Sequence, residues 1–128
     1  IEWLEMEHRA NPFSLVVFDY AQIMRTQRKV FGYKETMEVI AQECNAAAAK
    51  LGVATILASQ VQDEESLDFR YSQEFKHAAG FAVVVQRSGP EVQGGWIDIK
   101  PTVVKNRWGY EGAMDPWKWV PRFTRFEA

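Results

Sequence analysis

Short apolar runs alternate with polar stretches along most of the chain, and their periods predict its elements. Leu15–Val16–Val17–Phe18 is an apolar run that stops abruptly at Asp19. Such a run reads as a strand delivering one carboxylate to the carboxyl edge of a sheet, where α/β proteins bind ligands. Met37, Ile40, Ala41, Cys44, Ala47, Ala48 and Leu51 recur at three- and four-residue spacing, predicting a helix over 35–51 with one apolar face. Gly52 stands at its C-cap position. A second, β-branched strand over 53–58 ends in Ser59–Gln60. Strand, loop, helix and strand in that order predict a parallel βαβ unit with a right-handed crossover.

The flanking segments are less regular. Residues 1–10 read as the end of a helix, uncapped as though cut from something longer, and Asn11–Pro12 breaks it. Residues 25–34 are polar and basic, a mobile loop with Gly32 as its turn. Residues 61–69 form an acidic loop and 71–79 a short helix, with Gly80 releasing the chain into a strand over 81–85. Turn signals fill 87–95. Residues 96–99 and 102–105 read as edge or hairpin strands joined through an irregularity at Pro101. The aromatic tail shows no clear period.

Composition narrows the class. At 128 residues, 47% hydrophobic and with five tryptophans, the chain is one domain or part of one, with a real core. No apolar run is long enough to cross a bilayer, so no membrane partner is expected, and no signal-peptide pattern is present. Cys44 is alone, which excludes an internal disulfide and fits a reducing, intracellular setting. The net charge of −2 does not by itself advertise nucleic-acid binding, but the charges are segregated. Arg25, Arg28, Lys29 and Lys34 have no acid among them, Asp63, Glu64, Glu65 and Asp68 cluster, and the tail is basic again from Lys100. Segregated charge can steer a polyanion to one surface.

Two constellations could carry chemistry. Asp19 and Gln60 end successive parallel strands and would meet at one sheet edge. Asp19 could hold magnesium beside a nucleotide phosphate, or simply cap a turn. Gln60 could hydrogen-bond an attacking water or a terminal phosphate, or be an ordinary loop glutamine. The second constellation is Lys105–Asn106–Arg107–Trp108–Gly109–Tyr110–Glu111–Gly112. Two cations at i and i+2 on an extended strand would project together and clamp a phosphate; the alternative is an edge strand guarded by charge. The tail aromatics serve as core or interface, or stack on bases. His8 and His77 have no ligand-spaced partners, which argues against zinc.

Four segments together resemble the carboxyl-terminal RecA-like motor domain of DnaB-type replicative helicases from bacteria and phages. Val16–Val17–Phe18–Asp19–Tyr20–Ala21–Gln22–Ile23–Met24 resembles the Walker B strand, and Ile56–Leu57–Ala58–Ser59–Gln60 the Ser-Gln strand end. Asp68–Phe69–Arg70, followed by the strand from Phe81, resembles the Asp-Leu-Arg segment. Lys105–Asn106–Arg107–Trp108–Gly109 resembles the Lys-x-Arg-x-Gly hairpin. The resemblance implies an α/β, partial RecA-like P-loop NTPase fold, with a mostly parallel sheet, helices and C-terminal edge strands, over residues 1–128. It implies that Asp19 is the Walker B aspartate and magnesium ligand, and that Gln60 senses phosphate. Lys105 and Arg107 would reach a neighbouring subunit's ATP, Arg107 as arginine finger. Arg25, Arg28, Lys29 and Lys34 would fall on a DNA-facing loop, with residues 61–70 near a second one.

The implied parent is a hexameric, ATP- and Mg²⁺-dependent 5′-to-3′ DNA helicase. Its partners are single-stranded DNA and identical subunits, and its setting is the bacterial nucleoid or a phage-infected cell. Two departures stand out. Ala79–Gly80 replaces the usual Ala-Asp pair, and no Gly-x-x-x-x-Gly-Lys-Ser/Thr occurs, so the phosphate-cradling loop is missing from this sequence. The chain by itself is therefore not expected to hydrolyse ATP. The alternative is a non-catalytic RecA-like assembly module that dimerises through an exposed half-sheet.

Overall fold

The computed structural model describes residues 2–60, 73–89 and 95–127. They fall into two compact units, 2–60 with 73–78 and 79–89 with 95–127. The acidic loop, the Asp68–Phe69–Arg70 segment and part of the 87–95 turn region lie outside the described residues.

In the first unit, α1 (Glu2–Ala10) leads to β1 (Leu15–Phe18) and a one-turn 3-10 helix (Ala21–Ile23). Then come α2 (Tyr33–Leu51), β2 (Ala54–Leu57) and α3 (Gln73–Ala78). β1 and β2 pair in parallel, in register from Leu15 opposite Ala54 to Phe18 opposite Leu57. This is the expected βαβ unit. The helix starts two residues earlier than its apolar period indicates, because the turn before it supplies caps. Gly32, at φ +117°, turns the chain, and Thr36 donates both its amide and its hydroxyl to the Gly32 carbonyl. The Phe31 amide donates to the Glu35 carboxylate. These contacts occupy orphan groups at the helix start. At the other end Gly52 takes the left-handed conformation, φ +67°, and its amide donates to the Ala48 carbonyl.

The apolar stripe of α2 makes the core. Met37, Ile40, Ala41, Cys44 and Ala47 are buried, the first four of them clustered with Ala21 and Phe75, and Phe18, Met24, Leu57 and Ala78 pack against that cluster. Phe18 and Leu57 are register partners, so α2 covers one face of the parallel pair. Burial also pushes the Cys44 thiol up to about 11, with Glu43 adding a smaller push. The other face is open. Leu15 and Val17 on β1 and Ile56 on β2 are about half exposed or more. Lys50 Nζ lies 2.6 Å from Glu5 Oε1, joining α1 to the last turn of α2. That hydrogen bond holds the Glu5 carboxyl below its ordinary value.

The second unit is an antiparallel sheet. β3 (Phe81–Arg87), β4 (Ile97–Asn106), β6 (Trp117–Val120) and β7 (Arg125–Glu127) lie in the order β3-β4-β6-β7, and β5 (Gly112–Ala113) also pairs with β4. The two segments expected around Pro101 are one continuous strand. Pro101 sits between the stretch of β4 paired with β6, which ends at Ile99, and the stretch paired with β5, which begins at Thr102. Its missing N–H is tolerated at that break in the ladder. Opposite β3 the register shifts after Ala82, leaving Val104 as an extra residue, a β-bulge. Val84, Pro101 and Val103 are the buried residues of this sheet.

The tail aromatics pack within the sheet. Trp119 and Phe126 are register partners with ring centroids 4.7 Å apart, and Trp117 stands edge-on to Phe126 at 5.7 Å. The parallel pairing is confined, among the described residues, to β1 and β2. The antiparallel part is longer than the sequence indicates, because the aromatic tail carries no period that marks β6 and β7. No helix among the described residues is long and apolar enough to cross a membrane.

Candidate functional site

The carboxyl ends of β1 and β2 meet at one edge. The ladder continues one step past both strands: the Ala58 amide donates to the Phe18 carbonyl and the Ala21 amide to the Ala58 carbonyl. Asp19 therefore leaves the sheet beside Ser59 and Gln60. Its side chain is exposed, as is that of Gln60. Ala21, fully buried, anchors the turn that follows.

Gln22 ties this edge together. Its Nε2 donates to Ser59 Oγ at 2.9 Å and to the Gln60 carbonyl at 3.2 Å. Its Oε1 accepts from the Gln60 amide at 3.2 Å. The side-chain amide thus acts as one more rung of the sheet and holds the backbone of Gln60 in place. Sequence reasoning passed over Gln22 and Ser59 as individual residues. The bonds join positions 37 and 38 apart in the chain, and no local period signals such a pairing. The one usable cue is an amide three residues beyond the strand-terminal aspartate.

What this edge could bind is limited but definite. Magnesium commonly keeps several waters and takes one or two carboxylates plus phosphate oxygens. Asp19 offers one exposed carboxylate in that style. No cluster of three or more His, Cys, Asp or Glu suited to a metal occurs among the described residues.

The basic loop is tied more firmly than a mobile segment would be. Arg28 Nε lies 3.2 Å from Glu43 Oε1 on α2, Thr26 Oγ1 donates to the same oxygen at 3.3 Å, and the Arg28 amide donates to Thr26 Oγ1. Lys34 lies in the first turn of α2, 3.7 Å from Glu38, rather than in the loop. Arg25 and Lys29 are exposed.

In the second unit the hairpin differs from its expected geometry. β4 ends at Asn106, so Lys105 is on the strand and half-buried while Arg107 opens the turn and is exposed. Strand alternation therefore does not relate the two cations. The turn is built by Asn106: its Oδ1 accepts from the Trp108 amide, its Nδ2 donates to the Tyr110 carbonyl, and its own amide donates to Glu111. The Arg107 amide donates to the Gly80 carbonyl at 3.0 Å. A Cβ on Gly80 would collide with the Trp108 indole. The glycine in the Ala79–Gly80 departure thus makes room for the hairpin's tryptophan.

No protein-family model matches the sequence, and no curated protein does. Among solved structures the chain is similar to the ATPase domain of a phage helicase of the DnaB family, with a TM-score of 0.76 at 19% identity. The match covers 98% of this chain and 48% of that one, so the chain spans about half the length of that structure. The fold is accordingly a partial RecA-like ATPase fold, with a parallel core pair and antiparallel edge strands.

Proposed function

We propose that this chain is the part of a RecA-like, DnaB-type DNA helicase motor that carries the Walker B strand, the phosphate-sensing glutamine and the arginine-finger hairpin. The observation that carries this reading is the shared edge of β1 and β2, where exposed Asp19 stands beside Gln60 and Gln22 braces Gln60. The RecA-like fold supports it, because ligands of open α/β sheets bind at the carboxyl ends of the strands.

In this reading Asp19 holds magnesium or its waters, and the ion supplies charge neutralisation on a nucleotide's β- and γ-phosphates. Gln60 orients water or reads the terminal phosphate. Arg107, with Lys105 behind it, serves ATP bound by a neighbouring subunit of a ring. Arg25 and Lys29 face single-stranded DNA, while Arg28 and Lys34 are partly committed to Glu43 and Glu38. The test is steady-state ATP hydrolysis by this chain and by a longer polypeptide in which a strand, Gly-x-x-x-x-Gly-Lys-Ser/Thr loop and helix precede it. Background turnover is expected from the first and DNA-stimulated turnover from the second. Robust turnover by the 128-residue chain would contradict the reading.

A second reading rests on a separate observation, the open apolar face of the parallel pair. Val17 and Ile56 are register partners on that face, 58% and 53% exposed. Parallel sheets are normally covered on both faces, so a dimer closing over this one is the non-catalytic alternative. Under it, Val17→Lys with Ile56→Lys abolishes a concentration-dependent mass in sedimentation velocity and leaves far-UV dichroism unchanged. A wild-type chain that stays monomeric at every concentration excludes it.

A further inference from the structure

The most exposed large apolar side chain in the first unit is Phe31, at 81%. Its setting in the sequence is cationic. No acidic residue lies between Asp19 and Glu35, and that interval holds Arg25, Arg28, Lys29 and Lys34. Lys29 Nζ lies 5.6 Å from the Phe31 ring centroid, so a cation covers one face of the ring.

The backbone on both sides of Phe31 is held. Upstream, Thr26 and Arg28 are tied to Glu43. At Phe31 itself the amide donates to Glu35, and Gly32 then turns the chain into α2 through a φ of +117° that side chains rarely adopt. The loop therefore presents an aromatic ring to solvent from a fixed backbone. Solvating a bare phenyl ring has an unfavourable free energy, and none of these contacts gives the ring a place in the core. An aromatic face set among cations matches a base-stacking platform of single-stranded nucleic acid, where the cations meet phosphates and the ring meets any base.

We propose that Phe31 stacks on a base of single-stranded nucleic acid, with Lys29 and Arg25 neutralising the adjacent phosphates. The proposal rests on the reading that this loop faces DNA and adds to it a contact that depends on bases. A second copy of the chain is the competing occupant. It is disfavoured because the cations around Phe31 would repel their own copies and supply no apolar area.

The test uses the 128-residue chain and fluorescence anisotropy at low salt, with fluorescein-labelled oligo(dT) and a strand of equal length made of abasic sites. Wild type is expected to bind oligo(dT) about five- to tenfold tighter than the abasic strand, the lower range of a single stacking contact. Phe31→Ala should erase that preference, Phe31→Tyr should keep it, and Arg25→Ala with Lys29→Ala should weaken both strands alike. Equal wild-type affinity for the two strands, or a preference that survives Phe31→Ala, overturns the proposal but leaves backbone binding by the loop standing. Absence of binding to either strand overturns the proposal and removes the loop's DNA-facing role as well. A Phe31→Ala chain that loses self-association rather than base preference assigns the ring to an interface between copies and likewise overturns the proposal.

Discussion

Ile40→Ala lowers the urea midpoint of the first unit sharply. Ile40 is 1% exposed, at the centre of the stripe that joins α2 to Ala21, Phe75, Phe18 and Leu57. Truncating a buried isoleucine removes transfer free energy and leaves a cavity, together about 2–5 kcal/mol. That is a large share of the roughly 5–15 kcal/mol that stabilises a typical domain. The core here is small and built largely of alanine, cysteine and methionine around Ile40, so few large neighbours can collapse into the space. Urea unfolding followed by far-UV dichroism should show the midpoint fall with little change in slope. Val17→Ala, on the open face, should change it by under about 1 kcal/mol. If the two substitutions cost the same, α2 does not seat on the sheet through Ile40.

The same helix shows why part of the fold could be read directly. A 19-residue helix packed on a two-stranded sheet leaves a 3.6-residue apolar period and a glycine at its end. The strand ends at Asp19 and Gln60 were legible because an apolar run that stops at a polar residue marks where a buried strand leaves the sheet. The start of α2 was less so, since it depends on Gly32 and on side chains reaching back to Phe31 and Gly32.

The second unit resisted for a different reason. A proline ordinarily interrupts a strand, yet Pro101 falls where β4 passes from one partner to another. That handover depends on pairing between distant segments. The bulge at Val104 and the end of β4 at Asn106 have the same origin. They separate Lys105 from Arg107, which an uninterrupted strand would have aligned. Gly80 was visible only as a departure; its steric role depends on the position of Trp108.

In a polypeptide that adds the phosphate-binding loop, Asp19→Asn is expected to lower kcat about 100-fold or more, with the fold intact. The carboxylate at the β1 edge is the only acidic side chain among residues 18–24, and removing a charge aimed at a metal or phosphate forfeits stabilisation realised where charge develops. Gln60→Ala should cost about 10- to 100-fold on the same grounds, as the loss of one polar contact to the reacting phosphate or water. Gln22 separates a positioning role from a general one. Its amide accepts from the Gln60 N–H and donates to the Gln60 carbonyl and Ser59 Oγ, so Gln22→Ala should release Gln60 rather than touch nucleotide itself. The loss in kcat from Gln22→Ala should then largely vanish when Gln60 is already alanine, giving a clear coupling in the double-mutant cycle. Gln22→Glu should recover little, because a carboxylate can still accept from Gln60 N–H but cannot donate to its carbonyl. Strict additivity of the Gln22 and Gln60 losses, with KM rather than kcat absorbing the Gln22 effect, would mean that the brace serves the sheet and not the chemistry.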